Sequence, residues 1–279
     1  MKICVFCGIT SATKKINKEH IFRKKNRSIF GRNDTHTNFM RFSKKSGVIT
    51  AEKPKSYNAS PYEQQVGSVC ESCNSGWLNK IDSEFENLQF RLVKNLNVFG
   101  CKSDAELIYT WAYKTALIRT LVDESCERAI SQHHMKNLYE TKKPDLNVGV
   151  WIFNSNEPID LYSRHSFGIA NLNENGIEYN QVTIAMGCMG IYVIMLGPNE
   201  KLLSPMIVED EILTLTGGNA KRMWPESVNF IWPISMNKIS DEAISNIAIS
   251  LTRALDSVDP AETIASHLYI SRMNGSDRK

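Results

Sequence analysis

Four cysteines carry the most specific chemistry in this 279-residue chain: Cys4-x-x-Cys7 at the start, and Cys70-x-x-Cys73 further on. Two residues between thiolates let both reach one ion from a tight knuckle, and two knuckles complete the tetrahedral all-sulfur shell that Zn2+ adopts at structural sites. The 62 residues between the knuckles exceed the usual spacer of about 15 to 20. Lengthening a loop by nearly two doublings adds only about 1 kcal/mol of closure entropy. A structural zinc contributes on the order of 10 kcal/mol or more, so the frame is expected to close. Cys101, Cys126 and Cys188 stand alone among apolar neighbours and are expected to be small buried hydrophobes.

A polar cluster lies beside each knuckle. Eleven residues after Cys7 begins Lys18-Glu19-His20-Ile21-Phe22, and directly after Cys73 comes Asn74-Ser75-Gly76-Trp77-Leu78. Taken singly, a Glu-His pair and an Asn at a helix start are ordinary structural features. Once the knuckles are tied together, Asn74 is fixed at the head of the following helix and a strand carrying Glu19 and His20 can cross beside it. A carboxylate, an imidazole and a carboxamide then converge, which is a set suited to a hard metal ion and a general base.

These segments resemble the HNH nucleases with a ββα-metal fold, in the subset whose core is framed by two CxxC knuckles. Cys4-Val5-Phe6-Cys7-Gly8, Glu19-His20-Ile21 and Val69-Cys70-Glu71-Ser72-Cys73-Asn74-Ser75-Gly76-Trp77 follow the order of that family, and Trp111-Ala112-Tyr113-Lys114-Thr115-Ala116-Leu117 is similar to a segment of bacterial HNH proteins of similar size. The resemblance spans roughly residues 1 to 120. It implies a structural Zn2+ on Cys4, Cys7, Cys70 and Cys73, a catalytic Mg2+ or Mn2+ held by Glu19 and Asn74, and His20 as general base in phosphodiester hydrolysis. A variant within the family makes the histidine a soft-metal ligand instead. The resemblance further implies double-stranded DNA as substrate, and a role in defence against foreign DNA. Two positions depart from the family. Phe22-Arg23-Lys24-Lys25 stands where a proline often follows the Glu-His-Ile element, and for the middle Asn that buttresses the histidine strand the candidates are Asn58 and Asn33.

Charge is distributed to match a polyanionic partner. The formal net charge is +3, yet residues 1 to 60 hold 14 Lys or Arg against Glu19, Asp34 and Glu52, a balance of +11 that leaves about −8 for the remainder. Lys14, Lys15, Lys18, Arg23, Lys24, Lys25 and Arg27 crowd into fourteen positions, the pattern of a phosphate-neutralising surface. A solvated loop gives the same run of charge, and only its coincidence with the knuckles favours the nucleic-acid reading. Two other readings stay open: a non-catalytic zinc module that docks nucleic acid or a protein partner, and a nuclease directed at RNA.

The elements that must position these residues follow from periodicity. Trp77, Ile81, Phe85, Leu88 and Leu92 mark a long amphipathic helix ending near Gly100. A second helix is predicted to begin at a Ser103-x-x-Glu106 capping box and to run past Trp111, Ile118 and Leu121 to about Asp123. His133 and His134 fall in a short helix whose adjacent side chains face different ways. From Val148 to Ile234 the pattern turns to strands: Val148 to Phe153, Ser166 to Ala170, Ile177 to Met186, Gly190 to Leu196 and Val228 to Ile234. Two closing helices are predicted, one on Ile244, Ile247, Leu251 and Leu255, the other opening at Asp259-Pro260-Ala261-Glu262.

The expected class is therefore α+β: a zinc-framed ββα-metal core, then helices and a C-terminal antiparallel sheet with closing helices. Residues 1–100 form the expected nuclease domain and 101–279 a C-terminal α+β domain, with the boundary between 100 and 145. With 42% hydrophobic and 23% charged residues, collagen, coiled coil and wholesale disorder are excluded. No charged segment followed by an apolar one opens the chain, so a cytoplasmic location is expected. The longest uncharged run, Val182 to Gly197, is 16 residues with three glycines, too short for a membrane helix. It reads as two strands and a turn.

Overall fold

A computed structural model describes residues 2–27, 37–45, 48–51, 55–57, 60–122, 129–171, 176–198, 216, 218, 220–225, 229–234 and 264–270. The chain is α+β with antiparallel sheets throughout. Strand β1 (Ile16–His20) and the short strands β2 (Thr37–Lys45), β3 (Val48–Ala51) and β4 (Lys55–Tyr57) precede β5 (Gln65–Cys70). A helical turn, Glu71–Cys73, passes through a wider turn, Asn74–Leu78, into helix α1 (Asn79–Val93). Then come β6 (Val98–Gly100), α2 (Lys102–Thr120) and α3 (Ala129–Thr141). The long strands β7 (Val148–Asn171) and β8 (Gly176–Leu196) follow, then β9 (Ala220–Trp224), β10 (Phe230–Trp232) and β11 (Ile264–Ile270).

Strands β1 and β5 form a two-stranded ribbon, with Ile16 opposite Cys70 and His20 opposite Gln65. The large sheet runs β3-β2-β11-β7-β8, with β4 added on β2 and β9 on β7. One continuous apolar core reaches from Cys4 and Phe6 through α1 and α2 to Trp232. The two helices lie antiparallel on a shared seam: Asp82 of α1 meets Lys114 of α2, and Phe85 stacks on Trp111 with ring centroids 4.9 Å apart. Among the described residues no helix is long and apolar enough to cross a membrane.

Several expectations are corrected. Helix α1 ends at Val93, not near Gly100: Asn95 takes the left-handed conformation at φ 55°, a helix stop that Asn tolerates, and β6 follows. Helix α2 starts one residue after Cys101, whose backbone N–H donates to Asp104 Oδ2 at 2.9 Å, so the capping box is Cys101-x-x-Asp104 and not Ser103-x-x-Glu106. Cys101 is consequently exposed and not a buried hydrophobe, whereas Cys188 is buried. Val182 to Gly197 is not two strands with a turn: β8 runs on through it, and the interruption is a register shift in the β7–β8 ladder opposite Gly187, at φ 56°. The helix predicted on Ile244 to Leu255 lies outside the described residues, as do Cys126, Asn33 and Asn58. Beyond Asp259, residues 264–270 are strand and not helix.

Candidate metal centre and the charged pocket beside it

The N-terminal knuckle folds because its turn has the right residue at the end. Gly8, at φ 72°, takes the left-handed conformation without a side-chain penalty, and its N–H donates to Cys4 O at 3.0 Å. Cys4 N–H donates to Ile9 O at 2.8 Å, and Val5 N–H reaches across to Ser68 O at 3.0 Å. That last bond moors the first knuckle to β5, whose end carries the second. Cys70 N–H points at Cys4 Sγ from 3.3 Å.

All four sulfurs of Cys4, Cys7, Cys70 and Cys73 lie within 4.8 Å of one another, with Cys7 Sγ and Cys70 Sγ 3.6 Å apart. A tetrahedron with Zn–S bonds of about 2.3 Å has sulfur–sulfur edges of about 3.8 Å, whereas a disulfide needs about 2.05 Å. The cluster is thus placed to hold a metal ion, and its all-thiolate donor set is that of structural zinc. Burial alone pushes the Cys4 thiol up, but backbone N–H groups of Cys7, Cys70 and Phe6 outweigh it and bring Cys4 below its usual range. Burial pushes Cys7 and Cys73 up. A divalent cation supplies the charge that makes all four thiolates favourable together.

The cluster draws the flanking residues together. Asn74 leaves the second knuckle and its Nδ2 donates to Lys18 O at 3.1 Å, joining the head of α1 to the strand of Glu19 and His20. Between Asn17 and Glu19 the ribbon carries a register shift, after which Glu19 and Ile21 point inward and His20 lies on the more open face. His20 Nε2 lies 2.6 Å from Gln65 Nε2, its direct partner on β5. Burial, then the nearby Lys24 ammonium, lowers the His20 pKa below 6.5 against the opposing pull of Glu63.

Glu19 is only 6% exposed, and its Oε1 faces Lys114 Nζ at 3.4 Å. Lys114, 1% exposed, is held more tightly by Asp82, whose two oxygens lie 3.0 and 2.9 Å away. Burial raises the Glu19 pKa despite Lys114. Burial also works against the Lys114 charge, yet Asp82 and then Glu19 overcome it and lift the ammonium above its usual value. Two carboxylates against one ammonium leave one negative charge in this pocket.

Four of the seven residues of the basic run face acidic side chains. Arg23 Nη1 pairs with Glu86 at 3.1 Å and its Nη2 donates to Asn79 Oδ1 at 2.8 Å, and Lys25 pairs with the other Glu86 oxygen at 2.5 Å. Arg27 and Lys24 approach Glu63 at 3.5 and 4.0 Å. Lys14 donates to Ser72 Oγ at 3.0 Å beside the second knuckle. Lys14, Lys15 and Lys18 are exposed and make no ion pair among the described residues.

Asp82, Lys114 and Gln65 are the residues that sequence reasoning missed. A signal existed for the first two: Lys114 interrupts the apolar run Trp111 to Leu117, and Asp82 sits among Ile81, Phe85 and Leu88. A charge on a buried stripe must find a partner, and these two find each other. Against protein-family models, curated proteins and solved structures, the chain gives no match.

Proposed function

We propose that the chain is a metal-dependent endonuclease of the HNH type, hydrolysing phosphodiester bonds in DNA on a zinc-framed core. The observation that carries this reading is the four-sulfur cluster that ties Asn74 to the strand of Glu19 and His20, through the 3.1 Å bond from the Asn74 amide to Lys18 O. Glu19 and Asn74 would hold Mg2+ or Mn2+, which supplies charge stabilisation at the scissile phosphate. His20 is the general base. With its pKa lowered, the imidazole is neutral at pH 7 and ready to take a proton from water. The Gln65 amide nitrogen faces His20 Nε2 at 2.6 Å; turned end for end, the amide would present its oxygen to Nε2–H and leave the Nδ1 lone pair for that water. Lys14, Lys15 and Lys18 neutralise phosphates along the approach and read no sequence. DNA over RNA, and a role in defence against foreign DNA, rest on the resemblance.

Plasmid incubated with purified protein and Mg2+ or Mn2+ tests the reading. Nicking is expected from the wild type and a loss of about 100-fold or more from His20→Ala. Undiminished cleavage by that variant would remove His20 from the mechanism, and RNA digested in parallel identifies the substrate class.

A second reading is favoured by one observation: Glu19 is already engaged by Lys114. On that reading the charges are structural and the zinc frame is a docking module for nucleic acid or a protein. It predicts binding that weakens with salt and no cleavage in any divalent metal.

A further inference from the structure

The interior charges of Glu19, Asp82 and Lys114 come from β1, α1 and α2, three elements that meet only in the folded chain. Lys114 is not shared equally. Asp82 grips the ammonium with both oxygens at 2.9 and 3.0 Å, while Glu19 offers one oxygen at 3.4 Å. Short bidentate contacts in a buried site are the stronger ones, so Glu19 is the partner that can be drawn away at least cost. Phe85 and Trp111, one helical step from Asp82 and Lys114 on the same seam, hold the two helices in register whichever way Glu19 leans.

We propose that Lys114, anchored by Asp82, is the positioning residue for Glu19: it orients the buried carboxylate and competes with a divalent cation for its charge. The charge count supports this. Two carboxylates and one ammonium sum to −1; a divalent cation brings the pocket to +1, and one phosphodiester returns it to zero. Neutrality in a site this buried requires cation and phosphate together, so the ion is held firmly only when a phosphate accompanies it. Arg23 and Lys25 share Glu86, at 3.1 and 2.5 Å, and stand outside this count. This inference rests on the reading of Glu19 as a metal ligand.

The test is Mn2+ binding to zinc-loaded, full-length protein, followed by the electron paramagnetic resonance signal of free Mn2+, with and without inorganic phosphate. Asp82→Asn keeps the shape and removes the anchor. Lys114 then turns wholly to Glu19, and Mn2+ affinity is expected to fall about tenfold or more. Lys114→Met removes the competitor, and affinity is expected to rise by about tenfold. Lys114→Arg restores the cation and returns affinity toward the wild type. Phosphate is expected to tighten Mn2+ binding in the wild type. Zinc content and thermal melting are read on each variant, so that an unfolded one is recognised; Asp82→Asn and Lys114→Arg keep the test open if Lys114→Met fails to fold.

A purely structural role shifts the Asp82→Asn and Lys114→Met affinities in the same direction or leaves both unchanged, and either result overturns the proposal, as does a wild type that takes up no Mn2+. The two failures are distinguishable. Cleavage that needs His20 alongside parallel shifts removes the clamp and leaves the nuclease, whereas opposite shifts without any cleavage leave a cation-binding pocket and remove the nuclease.

Discussion

Glu63 and Glu86 decide how much of the basic N-terminal run can meet a polyanion. Between them they face Arg23, Lys24, Lys25 and Arg27, so on the proposed reading Lys14, Lys15 and Lys18 beside the knuckles are the cations left to meet phosphate. Counterion release makes this measurable. Three phosphate contacts give a slope of log K against log salt of about −3 on duplex DNA, where seven give about −6. Fluorescence anisotropy with a short duplex is expected to return the shallower slope, and Lys18→Gln to reduce it by about one further unit. A slope near −6 would mean that the pairs to Glu63 and Glu86 open on binding. Spacing along the chain marked all seven cations and gave no sign of this division, because the two acids lie 36 or more positions from the arginines they bind.

At the scale of elements, a buried imidazole bonds α3 to the long strand β8. His134 is fully buried; its Nε2 donates to Leu196 O at 2.8 Å and its Nδ1 accepts from the Tyr113 hydroxyl at 2.7 Å. The bond accepted at Nδ1 needs the neutral ring; the Leu196 bond favours the charged one, but burial, first among the causes, outweighs it and brings the pKa down to about 4. The unfolded chain takes up a proton at about 6.5 and the folded chain does not. Stability is therefore complete above pH 6.5, falls between 6.5 and 4, and levels off below that, with this group accounting for about 3 kcal/mol. Urea unfolding from pH 7 to pH 4 is expected to show that loss, and His134→Gln to flatten it; an unchanged slope in the variant would assign the loss elsewhere.

Gly187 makes a second junction of this kind. At φ 56°, a Cβ built there would sit 2.5 Å from Val93 Cγ1 and 2.6 Å from Val93 O, so strand β8 touches the end of α1 only because the side chain is missing. Gly187→Ala is expected to destabilise by about 2 kcal/mol or more in the same unfolding experiment, and a neutral result would show that the approach relaxes freely. Helix periodicity made α1 and α2 legible, since Ile81, Phe85, Leu88 and Leu92 face the core as their spacing requires. Their ends were less so: the stop at Asn95 and the cap from Cys101 depend on backbone geometry that residue type does not dictate. The β7–β8 pair was broken into shorter strands because glycines at 187 and 190 read as a turn, whereas one is a register shift and the other gives room to the Phe153 ring.

For the molecule as a whole, the part of the site written in the sequence is the part with fixed spacing. Two CxxC pairs and the residues directly after them were visible because local geometry demands them. Lys114 and Asp82 gave only the weaker signal of a charge on an apolar stripe, which names no partner; their pairing exists only after α1 and α2 pack. The frame also reaches beyond the knuckles. Phe6 meets Trp77 edge-on at 5.2 Å, and Lys142, at the end of α3, lies over the Trp77 ring at 4.1 Å. Losing the ion would thus loosen the ribbon, the head of α1 and the end of α3 together. Zinc-edge X-ray absorption on the purified protein addresses this most directly. The expected spectrum is one zinc per chain with four sulfur neighbours at about 2.3 Å, three in Cys70→Ser with a lower melting temperature. A chain free of zinc, or zinc bound mainly by nitrogen and oxygen, would contradict the frame on which the site is built.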